Sequence, residues 1–182
     1  MGRLYVISGS SGVGKGTVIN EFLRKHPEFK LSISCTTRHK REGEEHGVNY
    51  FFLSKDEFNK CINNNEFLEW AEFSGNYYGT KKEFAEKCLQ RGENLILEID
   101  TKGALNVKKI MPDAVLIFIA PPSFEELEAR LRGRHTETEE AIQKRLASIK
   151  SEIENSKNYD YTVVNDTVEN AVKKLEEIVT IN

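Results

Sequence analysis

The sequence is 182 residues long, 38% hydrophobic and 30% charged, with a formal net charge of -3. That is enough chain for one domain with a full-sized core, and the charge balance gives no global field for a nucleic acid partner. No apolar run approaches the ~20 residues needed to span a bilayer, residues 1–3 lead directly into a core strand without a signal peptide, and Cys35, Cys61 and Cys88 have no metal-like spacing. The expectation is a cytoplasmic protein with reduced thiols and no membrane or nucleic acid partner.

The chain opens with an apolar strand, Leu4-Tyr5-Val6-Ile7, followed by Gly9-Ser10-Ser11-Gly12-Val13-Gly14-Lys15-Gly16-Thr17 and then a helical pattern from Val18. Strand, glycine-rich loop and helix in this order, with Lys15 after Gly14, fit a phosphate-binding loop. Glycines turn successive N–H groups inward, the helix N-terminus favours anions, and Lys15 adds a full charge on the outer phosphates of a polyphosphate. Gly16 stands where this loop usually carries Ser or Thr, and the hydroxyl comes one position later at Thr17. The expectation is Mg²⁺ held by phosphates and water rather than by a loop hydroxyl.

His26-Pro27 closes the first helix. A second strand is expected over 31–34, another over 49–53, and Ser54 with Glu57 forms a capping box for a short helix. Period-two alternation over 67–73, a turn at Gly75-Asn76 and Tyr77-Tyr78-Gly79 predict a hairpin. A helix is expected from Thr80 to near Gly92. The run 95–100, which ends in the carboxylates Glu98 and Asp100, and the apolar run 114–119 read as buried parallel strands, and Ser123 caps the helix after Pro121-Pro122. Residues 133–138 are a polar break. The helix over 139–156 buries Ile142, Leu146, Ile149 and Ile153, and a last strand at 161–164 precedes a helix over 168–179. The predicted fold is α/β: a doubly wound, mostly parallel five-stranded sheet with a small β-rich insertion and a helical lid. The expected division is a core of 1–33, 81–125 and 157–182, an insertion at 34–80 and a lid at 126–156, all one domain.

Thr36-Thr37-Arg38, with Arg41, Glu44, Gly47, Tyr50, Phe52 and Leu53 at fixed offsets, resembles the guanylate kinase signature at every specified position. With the phosphate loop, Glu69-Trp70-Ala71, residues 76–80 and Gly133-Arg134-x-Thr136-Glu137, the similarity covers nearly the whole chain. It implies ATP-dependent phosphorylation of GMP, and of dGMP, to the diphosphate by direct in-line transfer, with Mg²⁺ accompanying ATP. Arg38 and Arg41 are guanidinium forks suited to a dianionic phosphate, and Tyr50 and Tyr78 add hydroxyl donors. The resemblance assigns these four to the GMP phosphate.

It assigns Glu69 to the base: guanine offers N1–H and N2–H side by side to one carboxylate, whereas adenine presents a lone pair there. Ser34 and Thr80 are the hydroxyl partners of the base, Thr80 serving also as a helix cap. Asp100 is expected to have a nucleotide or Mg²⁺-water role, and Glu98 stands beside it. Arg134 and Arg145 are the arginines that close on the donor phosphates, near Arg130 and Arg132, and Asn165 is the adenine-side contact. No side-chain metal site is expected. The plain alternatives are a solvated basic loop at 38–41, an outward charge at Glu69 and surface ion pairs for the lid arginines. A kinase for another nucleotide and a non-catalytic peptide-binding module are the rival functions.

Overall fold

The computed structural model describes residues 1–10, 12–73, 75–133 and 138–182, without the side chains of Arg130 and Leu131. Five parallel strands form the main sheet: β1 (Leu4–Gly9), β2 (Phe29–Leu31), β7 (Asn94–Glu98), β8 (Val115–Ala120) and β9 (Tyr161–Val164), in the spatial order β2-β7-β1-β8-β9. The central strands β1, β7 and β8 carry buried apolar runs because both faces are covered, while the edge strands β2 and β9 are only partly buried. Side chains alternate across each strand, so Tyr5, Ile7, Ile96, Ile117 and Ile119 pack on one face, and Leu4, Val6, Leu95, Leu97 and Leu116 on the other.

The first face is closed by α1 (Lys15–Lys25), through Val18, Ile19 and Phe22, and by α7 (Val168–Ile181), through Ala171, Val172, Leu175 and Ile178. The second is closed by α3 (Lys82–Gln90), through Ala85, Cys88 and Leu89, and by α4 (Thr101–Ile110), through Ala104 and Val107. Fully buried side chains such as Phe22 and Leu116 each contribute on the order of 1.5–3 kcal/mol of transfer free energy.

A second sheet is built from β3 (Cys35–Thr36), β4 (Phe51–Phe52), β5 (Phe67–Phe73) and β6 (Asn76–Lys81), in the order β4-β3-β6-β5. The hairpin β5–β6 is antiparallel, and Phe58 of α2 (Lys55–Asn63) packs beneath it with Cys35 and Phe67. The Ser54–Glu57 capping box is present on α2. Helices α5 (Phe124–Arg132) and α6 (Glu139–Asn155) share a small core of Leu127, Ile142, Leu146 and Ile149, with Phe124 and Ile153 against it.

Three expectations are corrected. The second strand lies at Phe29–Leu31, not 31–34, because Phe29 is the buried anchor, packed on Tyr5 and Phe22. Ser32 and Ser34 therefore fall in the connection between the two sheets. The strand expected over 49–53 shrinks to Phe51–Phe52, since Asn49 turns to accept from the Glu45 amide. Thr80 does not cap α3: Lys81 holds that position with no side-chain cap, and the Thr80 hydroxyl is used elsewhere.

Candidate active site

The carboxyl ends of β1 and β7 open into a cleft of about 430 Å³ that the second sheet walls on its other side. Gly9, Lys15, Ser34, Tyr50, Glu69, Tyr78, Glu98 and Asp100 all line it. Residues more than sixty positions apart in sequence thus face one space, at the place where parallel α/β sheets bind ligands.

The glycine-rich loop takes the form its composition demands. Gly12 and Gly14 have φ of 81° and 86°, the left-handed region open to glycine. Gly14 is the N-cap of α1, and among the described residues no side chain caps that helix. Its leading N–H groups and dipole are left for an anion. Ser10 and Val13 are buried, and the Val13 amide donates to the Ser10 carbonyl at 3.1 Å. Lys15 Nζ stands 3.8 Å from Glu98 Oε1, which holds the ammonium toward the cleft. Gly16 also faces this carboxylate: a Cβ there would lie 3.9 Å from Glu98 Oε1. Thr17 is exposed and lines a separate surface depression with Asn20, Glu21 and Arg24 rather than the cleft. Ser11 lies outside the described residues.

Asn165 braces this loop. Its Nδ2 donates to the Val13 carbonyl at 2.7 Å, and its own amide donates to the Ala120 carbonyl at 2.8 Å. The contact joins residues 152 positions apart, and sequence spacing carries no signal for it.

Arg38, Arg41 and Thr80 are not among the residues that line the cleft; Arg38 lies beside Tyr50, which does, and is clamped by Glu44. Nη1 and Nη2 donate to Oε2 and Oε1 at 3.0 and 2.8 Å, and the Arg41 amide donates to Oε2 at 2.8 Å. The guanidinium lies 5.3 Å from the Tyr50 ring centroid, and the Tyr50 and Tyr78 rings meet edge to face at 6.1 Å. The Arg38 hydrogen bonds, then the Arg41 amide, hold the Glu44 carboxyl down to about 2. Arg41 itself has an exposed side chain. The two threonines before Arg38 are structural: Thr36 Oγ1 accepts from the Arg38 amide at 3.2 Å, and Thr37 Oγ1 from the Tyr77 amide at 2.9 Å.

Glu69 is buried rather than outward, at 7% exposure. Thr80 Oγ1 donates to its Oε1 at 2.8 Å. Burial raises its carboxyl to about 7, the Thr80 hydrogen bond opposing and the nearby Asp100 charge adding to the shift. Asp100 caps α4, its Oδ1 accepting from the Gly103 amide at 2.7 Å. The cleft also carries residues the sequence did not single out for chemistry, among them Ser32, Asn49, Thr101 and Glu152 of α6. Ser32 Oγ is buried with no hydrogen-bond partner among the described residues.

Arg145 is half-buried on α6 and is not among the residues that line the cleft. Arg134 and the rest of the motif at 134–137 lie outside the described residues. Among the described residues no cluster of three or more His, Cys, Asp or Glu could hold a metal ion, and no helix is long and apolar enough to cross a membrane.

The guanylate kinase family model matches residues 1–182. A guanylate kinase of Bacillus anthracis is 52% identical over 179 residues, 98% of this chain and 87% of its own length. One from Desulfitobacterium hafniense is 50% identical over 97% of this chain and 88% of its own. The crystal structure of guanylate kinase from Anaplasma phagocytophilum superposes with a TM-score of 0.81 at 32% identity, covering 99% of this chain and 85% of that one. By family model, sequence and fold together, the chain belongs to the guanylate kinase family.

Proposed function

We propose that this chain transfers the γ-phosphoryl group of ATP to GMP, giving ADP and GDP, by direct in-line attack, and that it accepts dGMP as well. The observation that carries the guanine reading is the buried Glu69 carboxylate, held by Thr80 in the same cleft as Lys15. A buried acceptor pair rejects a base that cannot supply two donors, because its lone pairs are then left unpaired. The groups assigned to the nucleotide address its base and phosphate, so loss of the 2′-hydroxyl leaves them satisfied.

In this reading the loop at 9–17 and Lys15 seat the ATP phosphates, braced from behind by Asn165. Arg38 and Arg41, with the Tyr50 and Tyr78 hydroxyls, take the GMP phosphate, and Ser34 and Thr80 flank the base beside Glu69. A phosphate oxygen of GMP attacks the γ-phosphorus, the bond to the β,γ-bridging oxygen breaks, and ADP leaves. The attacking oxygen is already ionised, so no general base is required. Positioning and charge neutralisation supply the rate.

Arg134 and Arg145 cover the donor phosphates as residues 126–156 close over the core, and closure excludes water. The donor set fits Mg²⁺ held by phosphate and water: Glu98 is a hard oxygen donor beside Lys15, and Thr17 is not among the residues that line the cleft. When bound with ATP, Mg²⁺ would neutralise charge on the phosphates, and Glu98 and Asp100 are the cleft carboxylates that would hold its waters. The protein is read as cytoplasmic. ADP release measured side by side with GMP, dGMP, AMP, UMP and CMP tests the assignment. GMP and dGMP should be turned over at least ~100-fold more efficiently than AMP; equal efficiency on AMP contradicts it.

A further inference from the structure

The first turn of α4 approaches Glu69 at a residue with no side chain. A Cβ placed on Gly103 would lie 2.9 Å from Glu69 Oε2, 3.2 Å from Asp100 Oδ1 and 3.4 Å from Ile99 Cδ1. Gly103 is buried in a helix and is not among the positive-φ glycines, so alanine would suit the helical backbone better than glycine does. Its presence runs against helix propensity at a point where the backbone needs no special freedom. The cleft wall includes Asp100 and Thr101 but not Gly103, so the residue stands behind the carboxylate rather than against a ligand.

We propose that Gly103 is a positioning residue for nucleotide selection: its missing side chain lets the α4 backbone support Glu69 from behind, fixing the carboxylate that selects the base. The inference rests on the reading of Glu69 as the guanine contact. Oε1 is set by the Thr80 hydroxyl and Oε2 lies against Gly103, so both oxygens are located before any nucleotide arrives. The helix turn cannot easily give way, because the Gly103 amide is tied to Asp100 Oδ1 at 2.7 Å. Glu69 is almost fully enclosed and lines the cleft, so a carboxylate displaced from Gly103 has the cleft to move into. A methyl group at 103 therefore moves the carboxylate into the space the base would occupy. Misplacement of a hydrogen-bonding pair by a few tenths of an ångström weakens binding and discrimination together.

Steady-state kinetics with GMP, AMP and ATP on Gly103→Ala, Glu69→Gln, Glu69→Asp and the double variant Glu69→Asp/Gly103→Ala test this. Gly103→Ala is expected to raise KM for GMP about 10-fold and to lower the GMP/AMP preference, while KM for ATP stays within about 2-fold. The aspartate carboxylate, one methylene shorter, retreats from the new methyl, so the double variant should match Glu69→Asp alone. This comparison also decides the matter if Gly103→Ala proves insoluble. A wild-type KM and preference in Gly103→Ala, with the preference lost in Glu69→Gln, overturns the role of Gly103 and leaves Glu69 in place. The same penalty from Gly103→Ala in the aspartate background shows that it does not act through the carboxylate, and also overturns the proposal. An unchanged preference in Glu69→Gln removes the base contact itself, and the role of Gly103 with it.

Discussion

A carboxyl group raised to about 7 by burial gives Glu69 a titration in the working range of the protein. In the proposed role the form that would accept two guanine donors is the carboxylate, which prevails above pH 7 and is lost below it. KM for GMP should therefore rise about 10-fold as pH falls from 8 to 6, beyond any change in Glu69→Gln, which keeps every titration but that of Glu69. An identical profile in the two proteins would contradict the assignment. The sign of the stability effect is opposite. A carboxyl whose folded pKa is raised contributes most below its ordinary range, and that contribution is lost as pH rises through about 7. Unliganded Glu69→Gln should thus be more stable than the parent at pH 8, by about 1–3 kcal/mol in denaturant titrations, with the gain vanishing near pH 4. On the proposed reading, the unliganded protein tolerates a buried carboxyl whose partners would be the donors of the nucleotide base.

At the scale of elements, the phosphate loop is held in place by a residue from the other end of the chain. Removing the amide in Asn165→Ala leaves the Val13 carbonyl unpaired in a buried setting, which costs about 1–3 kcal/mol of stability. KM for ATP should rise several-fold more than KM for GMP; an even rise in both would place Asn165 outside the loop's support. A second brace is Glu44, which orders Arg38 and binds the Arg41 amide. Glu44→Gln keeps the shape but loses the charge-assisted fork, so KM for GMP should rise with kcat less affected.

The main sheet was legible because buried parallel strands read as apolar runs: 4–7, 95–97 and 114–119 declare themselves without partners. The strand at Phe29–Leu31 did not, because only one of its three residues is buried and Lys30 faces out. The glycine-rich turn between β1 and α1 was readable from local spacing, whereas Arg38 and Arg41 stood out only through the resemblance that carries them. Gly103 behind Glu69 and Asn165 behind Val13 were not, since each contact joins distant parts of the chain and neither residue type advertises it.

Over the whole molecule, two sheets meet at one cleft, and the helices α5 and α6 bring their own small core to its edge. Lys15 adds charge to the polyphosphate loop without supporting the core, its ammonium being partly exposed and paired only loosely with Glu98 at 3.8 Å. Lys15→Ala should lower kcat by about 10³-fold with an unchanged melting temperature, measured by ADP release and calorimetry; near-normal turnover would contradict the loop's role. A crystal structure after soaking with GMP reads the base and phosphate contacts at once. The phosphate should lie between Arg38, Arg41, Tyr50 and Tyr78, with N1 and N2 of the base on the Glu69 carboxylate. GMP bound anywhere else, or with its base turned away from Glu69, would contradict the assignment of this cleft.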